Sequence, residues 1–194
     1  VQDIFMTETA AFADVILPAS AFPEKDGTVT NTDRRVQMGR AAVPMPGQAQ
    51  QDWWIIQELA NRMDLNWTYS HPRDIFAEMR MVMPSLTGIS WQRLDDEGAV
   101  TYPCADENSA GREVIFGDGF PTESGRGRMT PAEVLPPDET PDAEYPIVLT
   151  TGRLLEHWHT GFLTCRSSVL DALEPEPEVP SAPETLQGLP VEPG

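Results

Sequence analysis

The residues best suited to chemistry gather in one run, Thr150-Thr151-Gly152-Arg153-Leu154-Leu155-Glu156-His157-Trp158-His159-Thr160-Gly161. The run follows a strand-like segment, and α/β proteins place ligand-binding loops at the carboxyl ends of strands. It combines a fixed positive charge, hydroxyls, two imidazoles, an indole and two permissive glycines. Such a set suits a large polar ligand that carries phosphates and a heteroaromatic ring. Arg153 can fork onto phosphate oxygens, the threonines can donate, and Trp158 or an imidazole can stack. A polar surface loop would have the same composition, so both readings stand. His157 and His159 lack a third ligand at metal-binding spacing, and no metal site is assigned to them.

Asp52 is the second candidate. Placed just before an apolar helical run, its carboxylate can cap the first turn. Beside Trp53 and Trp54 it can equally accept the two N–H donors of a guanine edge, and the two roles are compatible. Gln2-Asp3 and Thr7-Glu8-Thr9 flank a first strand, where they fit either nucleotide contact or a polar turn. No Ser-His-Asp order, GxSxG, P-loop or GxGxxG occurs, and no nucleophile stands beside a base. On these residues the chain is a binding piece with no catalytic residue to name.

The elements that position these residues read as α/β. Val1 to Met6 and Ala13 to Leu17 are short apolar runs that fit interior strands, the second ended by Pro18. Phe22 to Arg40 is turn-rich, an ordered loop or a short hairpin. A helix is expected after Asp52 with an apolar face of Ile56, Leu59, Ala60 and Met63, and another from Pro72 burying Ile75, Phe76 and Met79. Residues 84–144 are rich in Gly, Pro and acidic side chains, with a strand-like piece at Glu113 to Phe116. Pro131 to Pro146 reads as an extended crossing between domains, and Tyr145 to Thr151 as a strand stopped by Gly152. The tail from Glu174 fits disorder, or a short helix opened by Pro183-Glu184-Thr185.

Composition narrows the classes. The 194 residues carry 31 acidic and 13 basic side chains, a formal charge of −18. That field repels phosphate backbones and anionic lipid, so neither nucleic acid nor a membrane surface is expected as a partner. No apolar run approaches the roughly 20 residues that span a bilayer. Cys104 and Cys165 are far apart and form no CxxC, as expected of reduced thiols in a cytoplasmic protein. The chain opens at Val1 without a methionine and closes at Pro193-Gly194, so a fragment of a longer protein is expected, with any signal segment outside it.

Several runs carry a resemblance. Gln2-Asp3-Ile4-Phe5-Met6-Thr7-Glu8-Thr9-Ala10, Ala13-Asp14-Val15-Ile16-Leu17-Pro18-Ala19, Glu24-Lys25-Asp26-Gly27-Thr28 and Thr30-Asn31-Thr32-Asp33-Arg34-Arg35-Val36-Gln37 look like the molybdopterin oxidoreductase signature. Asp52-Trp53, Tyr102-Pro103-Cys104 and the run from Thr151 to Gly161 continue it in order, to about Pro177. Within that superfamily the chain most resembles the formate dehydrogenase large (alpha) subunit of the soluble, NAD-linked type; nitrate reductases share the Glu156-His157-Trp158-His159-Thr160-Gly161 wording.

The resemblance implies a bis(molybdopterin guanine dinucleotide) cofactor with Mo or W, formate as substrate, oxidised to CO2, and NAD- or flavin-linked electron-transfer subunits. It also implies an N-terminal region, absent here, with the iron–sulfur clusters, the metal-ligating Cys or selenocysteine, and the catalytic His and Arg. The fragment alone is then expected to be inactive. Cofactor contacts carried over by matching residues are Gln2, Asp52, Thr151, Gly152, Arg153, Glu156, His157, Trp158, His159 and Thr160, with Arg153 and His157 foremost. The implied architecture is the end of a Rossmann-like cofactor domain with a helical connection (1–130), a linker (131–144) and the truncated start of a β-barrel domain (145–194). One departure is Cys165, where the family has the first of two arginines, which removes a fixed positive charge near pyrophosphate. A nitrate reductase and a truncated, non-functional gene product are the alternatives.

Overall fold

Parallel pairing opens the chain: β1 (Gln2–Asp3) lies beside β2 (Leu17–Pro18), with Gln2 opposite Leu17 and Asp3 opposite Pro18. In this computed structural model, which describes residues 1–187 and 189, the ladder continues through a parallel bridge between Ala19 and Gln50. Gln50 N–H donates to the Pro18 carbonyl at 3.1 Å and Ser20 N–H to that of Gln50 at 2.9 Å. Pro18 is tolerated because its neighbour Ala19 supplies the donor, to the Asp3 carbonyl at 3.0 Å. Interior strands were expected here. Instead Ile4, Phe5, Met6, Val15 and Ile16 are exposed, because strands of two residues have no further neighbours to cover both faces.

The turn-rich stretch resolves as a hairpin. β3 (Gly27–Thr30) and β4 (Arg35–Gly39) pair antiparallel, and β5 (Ala99–Thr101) joins the far side of β4. α1 (Asp52–Arg62), α2 (Pro72–Val82) and α3 (Trp91–Glu97) follow in turn along the chain, α2 and α3 pack against this sheet, and residues 1–132 form one compact unit. The architecture is mixed α/β. Its core is Val36, Phe76, Leu86, Ile89, Leu94, Val100 and Cys104, with Met38, Trp91 and Tyr102 against it.

Helix α2 starts where Pro72 placed it. His71 Nδ1 accepts Arg73 N–H at 3.2 Å, and Asp74 reaches back to the N–H groups of Ser70 and His71, both at 3.0 Å. Of its expected inner face only Phe76 is fully buried; Ile75 is half-buried and Met79 exposed. In α1 the buried side differs from the one expected. Ile55, Gln57 and Ala60 face inward, while Ile56, Leu59 and Met63 are exposed. Apolar residues occupy nearly the whole circumference at Trp53-Trp54-Ile55-Ile56, so spacing alone supports two stripes. Gln57 selects one, because its amide pairs with Tyr69 as a strand would: Nε2 donates to the Tyr69 carbonyl at 3.0 Å and Oε1 accepts its N–H at 2.7 Å.

Residues 133–194 form the second unit. Its elements among the described residues are a single 3₁₀ turn, Thr164–Arg166, and the short helices α4 (Ser168–Leu173) and α5 (Pro183–Leu186). For the tail, the helical reading holds over Pro183–Leu186. The strand expected over Tyr145–Thr151 is not formed, and the segment is exposed. β-branched composition favours a strand only where a neighbour completes its hydrogen bonds, and none lies alongside. Among the described residues of 145–194 no strand is formed. Glu113 to Phe116 likewise forms turns, not a strand, and residues 131–146 are exposed and irregular.

Candidate functional site

Asp52 is the first residue of α1, not its cap. Gln51 holds the cap position; its Oε1 accepts from the Trp53 indole N–H at 2.8 Å and caps no backbone N–H. This frees the Asp52 carboxylate. Oδ1 accepts from Gln2 Nε2 at 2.6 Å, and Oδ2 accepts from the Lys25 ammonium. Lys25 also reaches the Ser20 carbonyl at 3.4 Å. Two residues singled out from the sequence, 50 positions apart, thus meet directly. They meet beside the short parallel ladder of β1 and β2, where the chain passes from the Gln50 bridge into the N-terminus of α1. A helix N-terminus favours negative charge.

Electrostatics follow from the contacts. Partial burial pushes the Asp52 carboxyl up, but the Lys25 and Gln2 hydrogen bonds and the Lys25 charge outweigh it and hold it below the ordinary carboxylate range. Asp52 therefore stays ionised at neutral pH. Beside it lies a cleft of about 250 Å³, with Lys25, Asp26 and Thr28 on one side and Trp53, Ile75, Phe76 and Met79 supplying apolar wall. An anion next to an aromatic wall can take a planar heterocycle by its N–H edge and its face together.

The second cluster is in the other unit. Arg153, Trp158 and His159 assemble as an exposed group: Arg153 Nη1 lies 3.3 Å from His159 Nδ1, its guanidinium 6.0 Å from the Trp158 ring centre, and the indole meets the His159 ring edge-on at 4.6 Å. Thr151, Gly152 and Thr160 are exposed beside them in sequence, and Glu156 is half-buried. His157 departs from expectation, for it is buried. Its Nε2 lies 2.6 Å from the Glu174 carbonyl, which can only accept, so that nitrogen carries the proton. Nδ1 then accepts from the Thr164 hydroxyl at 3.1 Å, and that hydroxyl accepts Trp158 N–H at 3.1 Å. Both ring nitrogens of His157 are thus engaged within its own unit.

Cys165 belongs to this support. Its sulfur lies 3.6 Å from His157 Nδ1, and Gly161, at φ 74°, has no room for a side chain, since a Cβ would fall 2.6 Å from that sulfur. Lys25 was legible only as one letter of a family run; nothing in its spacing pointed to Asp52. Thr164 and Glu174 gave no signal, because their part is played by one hydroxyl and one backbone carbonyl. Among the described residues no cluster of three His, Cys, Asp or Glu could hold a metal, and no helix is long and apolar enough to cross a membrane.

Residues 1–62, which contain Gln2, Lys25 and Asp52, match the molybdopterin oxidoreductase family model. Over its whole length the chain is 45% identical to the F420-dependent formate dehydrogenase subunit alpha of Methanocaldococcus jannaschii, covering 29% of that protein. Over 96% of its length it is 42% identical to the putative formate dehydrogenase YrhE of Bacillus subtilis, covering 19% of it. The assimilatory nitrate reductase catalytic subunit of B. subtilis is 38% identical over 94% of the chain, which covers 27% of it. The chain thus spans less than a third of each of these relatives. Acetylene hydratase from Pelobacter acetylenicus aligns at TM-score 0.43 and 25% identity over 63% of the chain and 16% of its own, a likeness too loose to bear on the fold.

Proposed function

We propose that this chain is the part of a formate dehydrogenase large subunit that clamps a molybdopterin guanine dinucleotide cofactor. The observation that carries the proposal is the meeting of Gln2, Lys25 and Asp52 at the N-terminus of α1, inside the segment that matches the molybdopterin oxidoreductase family model. The donor set fits the group. An ionised carboxylate accepts two hydrogen bonds from a guanine edge, and the exposed Arg153, Trp158 and His159 suit pyrophosphate oxygens and a heteroaromatic ring. Thr151, Gly152 and Thr160 lie along the same loop and complete that contact, with Glu156 at its edge. His157 acts through the loop alone.

On this reading residues 1–130 end a Rossmann-like cofactor domain and residues 145–194 begin a β-barrel, both completed by polypeptide outside the chain. That polypeptide also holds the iron–sulfur clusters and the catalytic residues. Bound, the Mo- or W-bearing bis(pterin) centre supplies the redox chemistry of formate oxidation. The residues of this chain bind it, orient it and set charge around it. The assembly is cytoplasmic, and electrons leave through a partner subunit, NAD- or flavin-linked on the sequence reading and F420-dependent by the name of the archaeal relative.

The test is to express the longer polypeptide containing this segment and assay formate oxidation with NAD, F420 and a dye beside nitrate reduction. Formate-dependent reduction is the expected result. Nitrate reduction in its place would transfer the segment to the nitrate reductase reading, which the 38% identity to that enzyme supports. A polypeptide that turns over neither substrate and releases no guanine nucleotide would refute the proposal.

A further inference from the structure

We propose that Lys25 is the positioning residue that fixes Asp52 as an anion and so makes the cleft selective for guanine over adenine. The inference rests on the reading that Asp52 meets a guanine edge, and it adds what enforces that preference. Guanine presents two adjacent N–H donors, whereas the corresponding edge of adenine presents one donor and one acceptor. An ionised carboxylate accepts twice and donates nothing; a protonated one accepts once and donates once. The protonation state of Asp52 therefore decides which base fits.

Lys25 governs that state by position and charge. It spans from the Asp52 carboxylate to the Ser20 carbonyl, and Ser20 is buried and tied through its own N–H to Gln50, two residues before Asp52. The ammonium is thus held against the same stretch of backbone that delivers Asp52. Gln2 fixes the other oxygen at 2.6 Å, and each oxygen keeps a second acceptor position for a ligand. Of the cleft residues the charged ones are Lys25, Asp26 and Asp52, and α2 contributes no charge there. Asp26 is occupied by the Ala41 N–H at 2.7 Å. Lys25 is then the single cation of the cleft lining. Without it, burial, which favours the protonated form, acts on Asp52 against only the Gln2 and backbone hydrogen bonds.

The test measures binding of GMP and AMP to the full 194-residue chain by equilibrium dialysis between pH 7.5 and 4.5, for wild type, Lys25→Met, Lys25→Arg and Asp52→Asn. Wild type is expected to prefer GMP across most of that range. In Lys25→Met the preference falls about tenfold, as for loss of one charge-assisted hydrogen bond, and what remains is lost at higher pH than in wild type. Lys25→Arg restores both the preference and the pH profile. If Lys25→Met keeps the wild-type preference and profile while Asp52→Asn loses them, the role of Lys25 is refuted and the guanine reading survives. If wild type fails to prefer GMP, or Asp52→Asn matches it, the guanine reading itself fails.

Discussion

Gly161 offers a prediction whose magnitude follows from two separable physical costs. A methyl group at this position meets φ 74°, the left-handed region, which costs an L-residue about 1–2 kcal/mol. It also falls 2.6 Å from the Cys165 sulfur, roughly 0.8 Å inside the 3.4 Å at which ordinary contact begins, an overpacking of about 1–3 kcal/mol. Gly161→Ala should therefore destabilise the 157–165 turn by about 2–5 kcal/mol, and in a Cys165→Ala background by only the backbone part. The Trp158 amide, bonded to the Thr164 hydroxyl and unchanged in all four variants, reports local opening by hydrogen exchange. The expected result is a coupling of about 1–3 kcal/mol between the two substitutions. Equal cost in both backgrounds would refute the packing of Cys165 against Gly161.

Two further outcomes follow from the first unit. A Cβ on Gly88 would fall 2.2 Å from the Asp106 carbonyl oxygen, whereas Gly98 has open space but φ 79°; in urea denaturation Gly88→Ala should cost more than the ~1 kcal/mol of Gly98→Ala, and the reverse order would contradict the packing of 84–106. Asp74 is held below the ordinary carboxylate range, foremost by its Ser70 side-chain hydrogen bond. A lowered folded pKa contributes stability that is present above the unfolded value, about 3.9, and is lost as pH falls through the folded value. Asp74→Asn should flatten the acid limb of a stability–pH curve, and an unchanged slope would show that the cap contributes nothing.

What the sequence made legible were features fixed by local chemistry. Pro72 marked the start of α2, where the cap is made within five residues. The α/β class showed in the apolar runs, and the pairing of Gln2 with Asp52 was approached from both ends without their contact being visible. What failed depended on neighbours. Asp52 was read as a cap because the helix boundary was placed one residue late; Gln51 takes that place. The inner side of α1 turned on Gln57 and Tyr69, a pairing that apolar spacing does not encode. Tyr145–Thr151 kept strand composition without a strand beside it. His157 went inward through Thr164 and Glu174, residues whose types announce nothing.

The central claim, that Asp52 holds a guanine of the cofactor, is tested most directly by nucleotide content. The longer polypeptide carrying this segment, as wild type and as Asp52→Ala, would be purified and denatured in acid, and the guanine nucleotide released counted per polypeptide. Wild type should release guanine nucleotide in stoichiometric amount, and Asp52→Ala markedly less at equal protein and equal helix content. Equal release from both would contradict the account.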